Sequence, residues 1–311
     1  MTSRLFTILL ILAILMSAGC AQIQQFLNPA PPQAAPVETV TEPVVVNVTD
    51  ATNVTVEVVS PLFDYRIPRI GNATFYFLQL SGDAVVIIGS FNETILLDTG
   101  ADTDYRTLVL ALRNWGVERI DALVVSRNLP FVSSNIEGLA SQFSITKVYH
   151  NGLAEFQQPF SNLKDVVPIE AVTVDRTIQV GSLQLKLIVP YDDGKGYSQD
   201  ENQNSILTRI TYGKASVLYA SGCDFTCEGR VANSDLKAQL LVTALKGSCD
   251  GSTAFFLNKV QPEAAVTMGA PCAEVVQRLQ TIGIKDFNTN KDGTLAFTTD
   301  GFGTFLIGGQ P

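Results

Sequence analysis

The chain of 311 residues contains one histidine, His150, and this scarcity limits its chemistry more than any other feature of its composition. Imidazole is the usual ligand of catalytic zinc, copper and nickel, so a His-rich metal centre is excluded. Basic residues are also few, with 21 Lys and Arg against 30 Asp and Glu and a formal net charge of -9. Nucleic-acid affinity rests mainly on cations that displace counterions from phosphates, so nucleic acid is not an expected partner. For His150 itself we expect a surface or hydrogen-bonded structural role rather than a catalytic one.

The first 20 residues have the pattern of an export signal. Arg4 supplies a positive charge, and the apolar run from Leu5 to Met16 is too short to span a bilayer comfortably. The run ends in Ser17-Ala18-Gly19-Cys20, which resembles the lipobox of prokaryotic lipoproteins. That resemblance implies a signal peptide over residues 1–20, a lipid on Cys20 and attachment to the membrane at the cell surface. The alternatives are an ordinary cleaved signal and an uncleaved membrane anchor, and both also place the following residues outside the cytoplasm.

Residues 21–60 have the composition of a stalk. They are rich in Pro, Thr and Val, and no Lys or Arg occurs between Leu5 and Tyr65. Such a segment has too little patterned apolar surface to fold alone and is typical of a spacer. Valines that alternate with polar residues near its end, from Val44 to Val58, favour an added edge strand. Four sequons for N-glycosylation lie in the stalk and the early domain, which fits an exported protein, at Asn47, Asn53, Asn72 and Asn92.

Residues 61–311 have the length and patterning of one mixed α/β domain. Its beginning predicts a three-stranded meander over residues 73–80, 84–89 and 94–98, followed by a helix over 105–115 that Gly116 ends. A second half repeats the change from strands to helices, with a hairpin around Gly213, a polar helix over 228–237, helices near 254–260 and 273–282, and a terminal hairpin. Strand-rich halves covered by helices on their outer sides predict an αββα four-layer sandwich.

The order of these segments resembles the extracellular metallo-β-lactamase-like domain of the competence protein ComEC and its relatives. Five stretches carry the resemblance, and each is weak alone but specific in this order: Phe77 to Ala84, Leu96 to Gly100, Trp115 to Val125, Asp200 to Ser205, and Asn290 to Gly301. The resemblance implies a metallo-β-lactamase-like fold, a two-metal centre and phosphodiesterase or nuclease activity.

The motifs that would bind the metals depart from that pattern. In place of Thr-His-x-His-x-Asp-His, residues 126–138 contain no His and no Asp, and Ser221-Gly222-Cys223 stands in place of Thr-Gly-Asp. Asp224 is one position late and is expected to point elsewhere. Lys246 and Ala270 occupy positions where the later His-bearing turns would hold histidines. Metal-assisted hydrolysis needs the ion to activate water, so we expect no metal, no cofactor and no working metallohydrolase.

Four residues are candidates for what remains of the pocket: Asp98, Cys223, Asp224 and Lys246. We expect the Lys246 ammonium to fill the space of the metal and to pair with Asp98 or Asp224.

Besides Cys20, four cysteines lie in the second half of the chain, at Cys223, Cys227, Cys249 and Cys272. An even number outside the cytoplasm favours two disulfides, while a four-thiolate zinc site and free thiols are the alternatives. The resemblance implies that all four converge at the old metal site. It also favours the pairs Cys223 with Cys227 and Cys249 with Cys272, because the two later motif loops are neighbours in that family.

Two functions follow from this pattern. The first is a lipid-anchored, non-catalytic binding or structural module of the cell envelope, with an envelope protein as partner. The second is a residual metal-dependent hydrolase, a phosphodiesterase or nuclease linked to DNA uptake, that relies on Asp98, Asp224, Lys246 and Cys223. A carboxylate-only Mg or Mn site is chemically allowed.

Overall fold

The structure is a computed structural model, and it describes residues 71–153, 163 and 165–308. The predicted signal peptide, the lipid anchor at Cys20, the stalk with Asn47 and Asn53 and the valine-rich edge strand lie outside the described residues. Within the described part of the chain, no helix combines the length and the apolar character needed to cross a bilayer.

Short strands make up much of the described domain. In chain order they are β1 (Ala73–Phe77), β2 (Val85–Ile88), β3 (Thr94–Leu97), β4 (Arg119–Ile120), β5 (Ala122–Val125), β6 (Ser144–Ile145), β7 (Val148–His150), β8 (Ile169–Ala171), β9 (Arg176–Val180), β10 (Leu183–Ile188), β11 (Leu207–Tyr212), β12 (Ala215–Tyr219), β13 (Leu240–Val242), β14 (Ala264–Thr267), β15 (Lys285–Asn288), β16 (Leu295–Thr299) and β17 (Leu306–Gly308). The α-helices are α1 (Tyr105–Asn114), α2 (Pro130–Ser133), α3 (Ile136–Gln142), α4 (Phe225–Arg230), α5 (Ala254–Val260), α6 (Ala273–Ile282) and α7 (Thr289–Asp292).

The strands of the described residues form two large sheets and one small pair. The first sheet has the order β17-β16-β1-β2-β3-β5-β7-β8 and the second the order β15-β14-β13-β12-β11-β10-β9, while β4 pairs with β6. The predicted meander is confirmed, since β1, β2 and β3 are consecutive antiparallel neighbours. The predicted hairpin around Gly213 is also present, with Tyr212 opposite Ala215. In each sheet a parallel section follows, β3-β5-β7-β8 in the first and β12-β13-β14-β15 in the second.

The main core lies between the two sheets because successive side chains of a strand point to opposite faces. Phe75 and Phe77 of β1 point into it together with Leu185 and Val217 of the second sheet, and all four are buried. The Phe77 and Phe297 rings pack edge to face with their centroids 5.5 Å apart. Truncation of such a buried ring to Ala removes about 3–5 kcal/mol of stability, so this layer contributes much of the folding free energy.

Two further apolar clusters lie on the outer faces of the sheets. Leu108 and Leu112 of α1 and Leu139 of α3 pack on the first sheet. The second sheet is covered by α5 and α6 through buried side chains that include Phe256 and Leu279. Helix, sheet, sheet and helix therefore follow one another, which is the predicted αββα sandwich.

Local signals explain most helix boundaries, with one correction. Helix α1 ends at Asn114, and Gly116 has the left-handed φ of +71° expected of a residue that ends a helix. The helix predicted over residues 228–237 was wrong, because α4 spans Phe225–Arg230. Its start is fixed earlier by Asp224, whose carboxylate accepts a 2.9 Å hydrogen bond from the Cys227 backbone N–H.

Candidate functional site

The candidate site lies at the carboxyl ends of strands from both sheets. Asp98 directly follows β3 and Ser126 directly follows β5, while Tyr219 is the last residue of β12 and Ser221 lies just beyond it. Parallel strands bring their carboxyl ends to one edge of a sheet, which is where α/β folds usually hold their ligands. The sequence therefore places four polar side chains at one end of the sandwich.

Asp98 is at the centre of this group and is fully buried. Its Oδ1 accepts a hydrogen bond of 2.7 Å from the Ser126 backbone N–H. Its Oδ2 accepts hydrogen bonds from the hydroxyls of Ser126 at 2.8 Å, Tyr219 at 2.6 Å and Ser221 at 3.2 Å. The backbone of Asp98 has a φ of +58°, a strained conformation that Asp tolerates better than most residues. Both carboxylate oxygens are thus already satisfied by the chain.

Burial sets the ionisation of this group. Burial raises the pKa of Asp98 to about 6. The hydrogen bonds from Ser126 and Tyr219 and the charge of Arg127 lower this pKa, but burial has the larger effect. Burial also raises the pKa of Tyr219 well above its ordinary value, and the neighbouring Asp98 charge adds to that effect. At neutral pH Asp98 is therefore a carboxylate and Tyr219 a protonated donor.

Arg127, which directly follows Ser126, is a residue of the candidate site that sequence reasoning missed. Its side chain is only 1% exposed, and its Nη2 lies 3.3 Å from Oδ2 of Asp83. A Cβ atom on Gly222 would lie 1.2 Å from Nη1, so the guanidinium fills the space that this glycine leaves open. The Phe131 ring covers the guanidinium, 4.9 Å from its central carbon to the ring centroid.

The position of Arg127 can be compared with the metal-binding motifs of the family that the sequence resembles. In the family that the sequence resembles, the first histidine of the metal-binding motif follows the Thr that corresponds to Ser126. Gly222 belongs to the Ser-Gly-Cys stretch that stands for Thr-Gly-Asp. A fixed cation therefore lies between two stretches that the resemblance aligns with metal-binding motifs. The signal in the sequence was a charged residue directly after the buried strand β5, where water cannot solvate it.

Asp83 is the partner of this cation and was also not singled out from the sequence. Its carboxylate is buried, and burial raises its pKa, while the charges of Arg127 and Lys246 lower it and that of Asp104 raises it. Asp104 holds the turn before Asp83 by accepting hydrogen bonds of 2.7–2.9 Å from three backbone N–H groups, those of Ser81, Gly82 and Ala101. Removal of either member of the buried pair would leave an uncompensated charge.

Lys246 contributes a second cation at the edge of the site. Its ammonium donates to the backbone carbonyls of Leu80 at 3.1 Å, Ser81 at 2.9 Å and Gly82 at 3.0 Å, and lies 3.9 Å from Oδ1 of Asp83. The expected pairing with Asp98 or Asp224 was wrong. Leu245 and Lys246 have left-handed φ angles of +51° and +55°, and this turn directs the lysine toward the 80–82 turn instead.

Among the described residues, the remaining candidates make no hydrogen bond to Asp98. Asp224 caps α4, and Cys223 forms a buried disulfide with Cys227 among the apolar side chains beneath the outer helices. The second disulfide joins Cys249 to Cys272, so the predicted pairing is the one in the structure. The Cys272 N–H donates to the Gly247 carbonyl at 2.8 Å, and the Phe225 N–H donates to the Asp250 carbonyl at 2.7 Å, so the loops of the two disulfides are in contact. The expectation that all four cysteines converge at the site stays a prediction.

His150, the single imidazole, is buried at the end of β7. Its Nδ1 accepts a hydrogen bond of 3.0 Å from the Gly152 backbone N–H. Burial lowers the pKa of His150 to about 4, so the imidazole is neutral at physiological pH. This geometry matches the expected structural role.

A pair of divalent cations does not fit these residues. Among the described residues, no three His, Cys, Asp or Glu side chains come together as a ligand set. The Asp98 oxygens are already occupied by hydrogen bonds, and the guanidinium of Arg127 and the ammonium of Lys246 would repel a dication. We therefore derive no chemical step through a metal.

Comparison with known proteins identifies the fold. The metallo-β-lactamase fold protein YhfI from Bacillus subtilis superposes with a TM-score of 0.52 at 10% sequence identity, over 74% of this chain and all of that one. A diphosphatase of the PhnP family gives a TM-score of 0.45 at 15% identity, over 69% of this chain and 94% of that one. No protein-family model and no curated protein matches the sequence.

The four-layer sandwich, with polar groups at the carboxyl ends of its strands, defines a mixed α/β domain. More narrowly, the domain has the metallo-β-lactamase fold, as the superposition on YhfI shows. Identities this low define the architecture and leave the chemistry to the residues of the site.

Proposed function

We propose that the protein is a lipid-anchored, extracytoplasmic protein with a ComEC-like metallo-β-lactamase domain that has lost its metal ligands. In this proposal the domain is a non-catalytic binding or structural module of the cell envelope, with an envelope protein as its partner. One observation carries it: the buried Arg127 guanidinium lies against Gly222 and pairs with Asp83, where the family would bind cations.

Burial of the site supports the same conclusion. Asp98, Ser126, Arg127 and Tyr219 are each no more than 2% exposed, so a substrate has no direct access to the carboxylate. A carboxylate-only Mg or Mn site, the alternative considered from the sequence, would have to displace the hydrogen bonds to Asp98 and accept two cations as neighbours. The residual-hydrolase function is therefore the weaker candidate.

The test of catalysis is a phosphodiesterase assay in Mn with bis(p-nitrophenyl) phosphate, beside an active enzyme of the same fold as positive control. We expect the wild type and Asp98→Ala to be equally inactive. Turnover in the wild type that Asp98→Ala abolishes would overturn the non-catalytic proposal.

The test of anchoring uses Cys20→Ser. We expect the wild-type protein to fractionate with membranes and to carry a lipid mass on its mature N-terminus, and the variant to lose both. A wild-type protein that remains in the cytoplasm, with residues 1–20 intact, would contradict export.

A further inference from the structure

A groove of about 510 Å³ lies at the end of β3 opposite the candidate site, near the first residue of that strand, Thr94. Aromatic and polar side chains line it together: Phe91, Asn92, Trp115, Glu118 and Arg119. Because Asp98 follows the other end of β3, the groove has no part in the function proposed for that site.

The turn that carries Phe91 is held firmly. The carboxylate of Glu93 accepts a 2.8 Å hydrogen bond from the Phe91 N–H and a 2.6 Å hydrogen bond from the Ser182 N–H, which ties the turn to the second sheet. The Glu93 carbonyl also accepts from the Gly89 N–H at 2.9 Å. The Phe91 side chain nevertheless remains 79% exposed. An exposed aromatic ring on a fixed turn is preorganised to contact a ligand.

Trp115 forms the other aromatic surface. One face of its indole stacks on the Tyr76 ring, with the centroids 3.9 Å apart, so the side chain is fixed and only half-buried. At the rim, Arg119 is oriented by a 2.7 Å bond to Asp121. Aromatic rings beside amide, carboxylate and guanidinium groups suit a saccharide, whose C–H faces pack on the rings while its hydroxyls make hydrogen bonds.

The same turn contains its own attachment point for a sugar. Asn92-Glu93-Thr94 is a sequon, and Asn92 is exposed with a left-handed φ of +61°. No hydrogen bond joins its carboxamide to another described residue, so the nitrogen is free to carry a substituent. Since Asn92 itself lines the groove, a glycan linked there begins inside it.

We propose that Asn92 carries an N-linked glycan whose first sugars pack in this groove against Phe91 and Trp115. The proposal rests on export of the chain, as proposed above. Membrane fractionation of the cells that make the protein tests export independently of the glycan. The glycan contacts exist only in the folded state, so they stabilise it.

The experiment compares the full chain, made in a host that glycosylates Asn, with Asn92→Gln and with the control Asn72→Gln, which alters the other sequon of the described domain. Glycopeptide mass should show a glycan on Asn92. Trp115 is the only tryptophan of the chain, so acrylamide quenching of its fluorescence reports on the groove directly. We expect Asn92→Gln, but not Asn72→Gln, to increase quenching and to lower Tm by about 2–4 °C. Phe91→Ala should lower Tm when Asn92 is intact and leave it unchanged in the Asn92→Gln background.

Three results would overturn the proposal. An unmodified Asn92 in a protein that fractionates with membranes would exclude the glycan while leaving export intact. A modified Asn92 with the same Trp115 quenching as Asn92→Gln would show that the sugars lie outside the groove. Protection of Trp115 by added polysaccharide in a protein whose Asn92 is unmodified would assign the groove to a free saccharide instead.

Discussion

The buried carboxylate of Asp98 makes stability depend on pH in a way that one substitution isolates. Burial raises its pKa from the ordinary 3.8 to about 6 in the folded protein. Between these values the folded protein holds a proton that the unfolded chain has lost, so the stabilisation is fully present below pH 3.8 and is lost as pH rises through 6. The difference between the two pKa values corresponds to about 3 kcal/mol.

Asp98→Asn should abolish this dependence, because the amide keeps the shape of the side chain and does not titrate. Two of the three hydroxyls that donate to Oδ2, those of Ser126, Tyr219 and Ser221, can reverse to accept from the two N–H donors of the new amide. Urea unfolding at pH 4 and pH 7 gives the stability difference between variant and wild type at each pH. Because pH 4 lies slightly above the unfolded pKa of 3.8, we expect that difference to change by about 2 kcal/mol in favour of the variant at pH 7. A difference that is equal at both pH values would refute the assignment of a raised pKa to Asp98.

Three further predictions concern the same end of the domain and its supports. Arg127→Ala should lower the free energy of unfolding by about 3–5 kcal/mol, because the buried Asp83 carboxylate loses its partner. Gly222→Ala should also destabilise the fold, because its new Cβ clashes with Nη1 of Arg127. Since that clash needs the arginine, urea unfolding of the double variant should show a smaller loss than the sum of the two single losses. Replacing the disulfide partners Cys249 and Cys272 by Ser should remove about 3 kcal/mol, as expected for a loop closed over 23 residues, and equal stability of the variant in urea would contradict this. Burial raises the pKa of Glu228 to about 7, so this group makes the fold less stable as pH rises from 4.5 through 7. In Glu228→Gln the fold should lose about 3 kcal/mol less over that pH range, and an unchanged pH profile of stability would contradict this.

Most of the fold could be predicted because its signals are local. The meander from β1 to β3 and the hairpin at Gly213 follow from alternation of apolar residues between turn residues. The helix end at Gly116 follows from the conformational freedom of glycine. The start of α4 was missed because an aspartate that looked like a displaced metal ligand serves as its N-cap.

The site was harder to predict, since its content depends on contacts between distant segments. The resemblance indicated which metal ligands to expect missing, but not that Arg127 would enter the space above Gly222, 95 positions along the chain. Lys246 was singled out from the sequence, yet its partners depend on two consecutive left-handed residues that no residue-type preference indicates. Tyr219 had the appearance of an ordinary strand residue, and only the approach of the two sheets makes it a donor to Asp98.

We propose that two fixed cations and a saturated carboxylate stand in place of a metal centre in this domain. Metal analysis of the purified protein by mass spectrometry, after equilibration with Zn and Mn and exhaustive dialysis, tests it most directly. We expect far less than one ion per chain, with no change in Asp98→Ala. Two ions per chain in the wild type, both lost in Asp98→Ala, would contradict the claim.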